Sequence, residues 1–136
     1  MEIFKIVVLT LSGLALIYAS SMRLINPSKG NFVQTYVENP ENVLANDADL
    51  LNEIRGIGAV LLLGGITLLL GALLPGFRQT ALVIGGVLFV GVVAGRLTSF
   101  AVDGIPNVAI ERATLIEIVL SVLNVVGLLM AFFGKE

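Results

Sequence analysis

Four stretches of this chain are long and apolar enough to cross a bilayer, and that pattern constrains the fold more than any other feature. A spanning helix takes roughly 17–25 mostly apolar residues. Ile3–Ser21 qualifies, interrupted only by Lys5, whose stem can snorkel to the near interface. Ile57–Leu74 ends at Pro75-Gly76, Thr80–Gly95 is closed by Arg96, and Ala113–Phe133 carries one acid, Glu117, near its start. With 57% hydrophobic and 13% charged residues among 136, the chain departs from soluble domains, which run near about 45–50% apolar and 25% charged. The expected fold is all-α: a single four-helix transmembrane bundle, up-down-up-down, with helices over about 3–22, 48–74, 79–101 and 107–134. Ala19-Ser20-Ser21 has the look of a signal-peptide cleavage site, but the n-region is barely basic, so the first stretch is read as a retained helix.

The absences narrow the chemistry. Without histidine or cysteine, the commonest metal ligands, the usual general base and any disulfide framework are missing, and no cofactor is expected. The eight basic residues are scattered, which is not a nucleic-acid footprint. Any aromatic interface belt must come from Tyr and Phe, since there is no Trp.

The connections differ in kind. Residues 75–79 predict a tight hairpin turn. The 24–52 segment is long and polar; within it, 31–37 is mildly apolar and suited to the membrane surface. Asn46 or Asp47 is placed to cap an amphipathic lead-in to the second helix. Asp103-Gly104-Ile105-Pro106 reads as a turn with a proline suited to a first helical turn. Gly58, Gly65 and Ala72, seven apart, and the Gly91/Gly95 pair predict close helix approach.

Alternating helices put the termini and the short turn on one side. That terminal side holds Glu2, Lys5, Arg78, Lys135 and Glu136; every other charge falls on the loop side. Arg23, Glu53, Arg55, Arg96 and Glu117 then share one depth, where spans meet loops. Arg96, Ser99 and Asp103 share a face at i, i+3, i+7, and Thr114, Glu117, Ser121 and Asn124 form a polar stripe on the last helix. A charge facing lipid at depth costs roughly 2.5–3.5 kcal/mol, so the stripe should face the bundle interior. The expected candidate ligand-binding residues are Arg23, Glu53, Arg55, Arg96, Ser99, Asp103, Glu117, Ser121 and Asn124. Ser12, Thr67 and Asn124 fall at similar depths and predict a hydrogen-bonded layer at mid-membrane.

Two readings of the charged cluster stand side by side. It is a structural lock between helices, or it is a polar-headed pocket whose arginines take a carboxylate or phosphate head group while the apolar depth takes a tail. Transport by a single copy is disfavoured, because the terminal halves of the spans offer no ionisable group. Three functional expectations follow: a protein binding a membrane lipid or similar amphiphile; an accessory subunit or homo-oligomer docking partners through its glycine faces; an enzyme on a lipid-like substrate using Glu117. A metal site from Asp103, Glu111 and Glu117 is opposed by the nearby arginines.

Arg23 followed by Pro27, Arg55-Gly56-Ile57-Gly58, and Gly95-Arg96-Leu97-Thr98-Ser99 with Asp103-Gly104-Ile105-Pro106 and a later Glu117 resemble the bacterial membrane family catalogued as domain of unknown function 4345. The resemblance covers nearly the whole chain and implies a four-helix membrane bundle without naming an activity. The layout is also similar, more distantly, to DoxX-like proteins and to sterol-isomerase-type bundles. A bacterial inner membrane is the implied setting. Lys and Arg number three on the terminal side and five on the loop side; discounting Arg23, Arg55 and Arg96 as bundle residues favours cytoplasmic termini.

Overall fold

In a computed structural model of the chain, residues 1–27 and 47–134 are described. Among them are four long helices, α1 (Glu2–Ile25), α2 (Ala48–Leu73), α3 (Arg78–Val102) and α4 (Val108–Phe133). All four are long and apolar enough to span a membrane, as expected of a multi-pass membrane protein. The expected surface segment 31–37 lies outside the described residues, as do Lys29, Asn46 and the last two residues.

Local chemistry sets the helix ends. Asp47 caps α2, its carboxylate accepting from the amides of Asp49 at 2.9 Å and Leu50 at 3.2 Å. Asn107 caps α4 in the same way. Pro106 therefore precedes the cap instead of occupying the first turn. A short 3₁₀ turn, Pro75–Phe77, joins α2 to α3. Between α3 and α4 only Gly104, at φ 97°, adopts a left-handed conformation, which L side chains resist.

Packing divides the bundle into two tight pairs. In the α1/α2 pair, a Cβ on Gly65 would stand 2.9 Å from the Gly13 carbonyl oxygen and 2.8 Å from Ile17 Cγ1. Gly58 likewise admits Arg23, whose Cβ lies 2.9 Å from where its own would be. In the α3/α4 pair, Gly85 faces Asn124 and Gly127 faces Leu82. The seven-residue repeat on α2 thus marks a real contact surface. Gly91 and Gly95 differ: nothing lies within 4 Å of a Cβ built on either, so no described helix uses that motif.

The tightest glycine approaches between the two pairs fall in their terminal halves. There Gly71 abuts Ala81, Gly64 receives Leu88, and Gly127 approaches Phe4. The core follows the same line, with Leu9, Leu68 and Leu82 fully buried. Asn124 Nδ2 donates to Ser12 Oγ at 2.7 Å, bridging α4 to α1 near the middle of both. Thr67 does not join this layer; its hydroxyl donates to its own helix at Leu63 O. Beyond that level, toward the loop side, the pairs diverge around a cavity.

Glycine placement makes a direct prediction. Gly65→Val forces α1 and α2 apart against backbone atoms, an overpacking cost of about 1–3 kcal/mol. Thermal inactivation in detergent should register it, whereas Gly91→Ala should leave stability unchanged or slightly raised.

Candidate functional site: a polar-headed cavity between helix pairs

The cavity measures about 570 Å³, inside the range of about 300–1,000 Å³ usual for small-molecule sites. Its floor and walls are apolar: Leu16 on α1, Leu61 on α2, Phe89 on α3 and Leu120 on α4, all buried or nearly so. Its loop-side end is polar, with Arg23, Arg96, Ser99 and Glu117 on three different helices.

The strongest interaction there joins α3 to α4. Arg96 Nε donates to Glu117 Oε2 at 2.7 Å, and a second guanidinium nitrogen donates to Oε1 at 3.0 Å. Such fork-on-fork pairing fixes both orientation and distance. The two side chains are 16% and 19% exposed, so the pair is largely withdrawn from solvent. Arg23, in the last turn of α1, donates to Ala19 O at 3.1 Å and lies close enough to feel the charges of both Arg96 and Glu117. The lining thus carries two guanidiniums, Arg23 and Arg96, and one carboxylate, Glu117.

The remaining expected residues are distributed differently. Ser99 lines the cavity and donates to Asp103 Oδ2 at 2.8 Å; Asp103 itself is exposed and off the lining. Ser121 and Asn124 are buried on the inward stripe of α4, deeper than the cavity and outside its lining. Glu53 and Arg55 are exposed on α2 and are not brought to Arg96 and Glu117. Glu53 borders a second, smaller groove with Asn52 and Val60. Depth along a bundle does not fix which way a helix is turned. The close approach of Gly58 and Gly65 to α1 fixes that, and Glu53, five residues before Gly58, falls on the far side of the helix. No group of three or more acidic residues able to hold a metal occurs among the described residues.

Sequence reasoning also left a buried cation unassigned. Arg78, 8% exposed, donates from Nε to Gly71 O at 3.2 Å and from a terminal nitrogen to Ala72 O at 3.1 Å. Its other terminal nitrogen meets Glu2 Oε2 at 2.6 Å, and Lys5 holds the second oxygen of Glu2 at 2.6 Å. This clasp joins α1, α2 and α3 at the face opposite the cavity. The signal for it was the position of Arg78 directly after the turn, within reach of the unsatisfied carbonyls that end α2.

Neither the curated proteins nor the solved structures return a match to this chain, and nothing in the comparisons bears on a DoxX-like relationship. One family profile, described as a domain of unknown function (DUF4345), matches residues 4–128, a span that reaches into all four helices and includes the Arg96–Glu117 pair and the residues lining the cavity. The chain therefore belongs to the DUF4345 family.

Proposed function

We propose that this small membrane protein binds an amphipathic, lipid-like molecule in the cavity between its helix pairs. The observation that carries the reading is one space with two characters: an apolar floor at Leu16, Leu61, Phe89 and Leu120, and a head end where Arg23, Arg96 and Ser99 can meet an oxyanion. Arginine suits that task because its planar fork matches carboxylate and phosphate geometry. The enzymatic reading through Glu117 has less support, since both carboxylate oxygens are held by Arg96. The accessory-subunit reading draws on the open glycines, Gly91 and Gly95.

Native mass spectrometry of the purified protein tests the proposal. Wild type should carry one amphiphile per chain. Arg96→Ala, which removes the head contact, and Gly95→Leu, which fills space without displacing a neighbour, should each lose it. Identical retention in all three sinks the pocket.

The setting is proposed to be a bacterial inner membrane. The expectation of cytoplasmic termini rested on discounting Arg55 as a bundle residue. Arg55 is exposed and Arg78 is buried, so the recount leaves Lys29, Arg55 and Arg112 to the loops and Lys5 and Lys135 to the termini. By the positive-inside rule we therefore favour cytoplasmic loops. A C-terminal alkaline phosphatase fusion should be active; an inactive phosphatase with a fluorescent cytoplasmic fusion would reverse the orientation.

A further inference from the structure

Three helices give the cavity the same depth. Seven residues separate Arg23 from Leu16 on α1, and seven separate Arg96 from Phe89 on α3, all four of them on the lining. On α4 the same interval leads from Glu117 to Asn124, with the floor residue Leu120 between them. At a helical rise of about 1.5 Å per residue, each interval is about 10 Å long. The floor at that depth is shut. Leu16, Leu61, Phe89 and Leu120 are buried, and beneath them Ser12, Leu68 and Asn124 are fully buried and outside the lining. Asn124 Nδ2 is bonded to Ser12 Oγ at 2.7 Å. Its carboxamide lies against Gly85, and the side chain of Leu88 covers Gly64.

An alkyl chain whose head stands at Arg96 has that distance to run before it meets packed side chains. An extended polypeptide advances about 3.6 Å per three backbone bonds, so an extended alkyl chain uses up the depth in about eight or nine bonds. The tails of a bilayer lipid fill half of a hydrocarbon core about 30 Å thick, which is longer than the cavity is deep. Solvation gives the longer chain no advantage. A methylene that moves from bilayer to cavity exchanges one hydrocarbon neighbourhood for another. Contact with the walls and room at the floor decide instead.

Resting on the ligand site proposed above, we infer that the cavity selects its guest by length: it takes an amphiphile with a medium-length alkyl chain, about eight to ten carbons, and discriminates against chains of bilayer length. Phe89 and Leu120 set the lower limit. Val92, on the lining one turn from Arg96, stands where a larger side chain would raise the floor.

The test holds the head group constant and varies the chain. Wild-type protein in vesicles is offered decanoate and palmitate at equal mole fraction, and bound acid is read by native mass spectrometry. Decanoate should be favoured by about tenfold, or about 1.4 kcal/mol. Palmitate retained as well as decanoate, or better, overturns the length limit and leaves ligand binding standing. Retention of neither acid overturns the inference; if the protein also carries no amphiphile over from the cell membrane, the site falls with it. Two substitutions move the floor in opposite directions. Phe89→Ala lowers it and should reduce the preference for decanoate to about twofold or less. Val92→Phe raises it and should weaken decanoate retention about tenfold while hexanoate is held as in wild type. The wild-type preference unchanged in both variants overturns the assignment of the limit to this floor.

Discussion

Glu117→Leu should destabilise the bundle by about 3 kcal/mol, the usual cost of breaking a largely buried pair and stranding its partner. Arg96 then loses its bidentate carboxylate on a span where a cation is expensive. Arg96→Met should cost a similar amount by leaving the Glu117 carboxylate without its fork. The double substitution Arg96→Met/Glu117→Leu should return stability to within about 1 kcal/mol of wild type, because two apolar side chains of similar volume replace a pair whose desolvation cancels most of its attraction. Thermal unfolding in a single detergent, run on the four proteins as a double-mutant cycle, measures this. The double variant then separates the two roles of the pair. If it folds like wild type yet retains no amphiphile, the pair belongs to a site; if it retains the same amphiphile, the pair is a lock and nothing more.

Arg78→Ala should cost about as much, roughly 3 kcal/mol, for a different reason. Arg78 makes two charged hydrogen bonds to backbone carbonyls at the end of α2, and such bonds are worth about 1.5–3 kcal/mol each before relaxation. Water can recover part of that at a helix end. Arg78→Lys keeps the charge but cannot reach Gly71, Ala72 and Glu2 together, so an intermediate loss is expected. Glu2→Gln should cost under about 1 kcal/mol, because Glu2 is 61% exposed and exposed partners contribute little. Arg78→Ala should also loosen the apex where the pairs meet, and proteolysis after the 75–77 turn should become faster, by up to the factor that free energy corresponds to. A protein with Arg78→Ala as stable as wild type would show that packing of Leu9, Leu68 and Leu82 holds the apex unaided.

The helices were legible because lipid leaves the chain few options: long apolar runs must satisfy their own backbone. The inward stripe of α4 was legible for a related reason, since Thr114, Glu117, Ser121 and Asn124 share one face and a polar face in hydrocarbon must turn toward protein. Depth and sign together put Arg96 and Glu117 in one expected cluster, without singling them out as a pair. Depth alone does not say which way a side chain points: the glycine surface of α2 against α1 turns Glu53 away, and Arg55 is exposed as well. The Ser12–Asn124 bridge was readable and its expected third member, Thr67, was not, since a hydroxyl can always turn back to its own i−4 carbonyl. Arg78 escaped because a charge beside a tight turn looks like an interface marker until the carbonyls it covers are seen. The divergence of the two pairs had no sequence signature: apolar residues such as Leu61 and Phe89 read the same whether they meet each other or border a space.

That divergence, and the proposed entry of an acyl chain into it, can be tested with one fluorophore. The chain has no tryptophan, and Phe89, on the cavity floor, can be replaced by Trp as a single reporter. An acyl-chain-brominated fatty acid added to vesicles should quench Phe89→Trp with saturation at one equivalent, and Arg96→Ala in the same background should abolish that phase. Emission that stays unquenched while a lipid-facing Leu63→Trp responds would mean that the helix pairs are closed and that no chain enters the bundle.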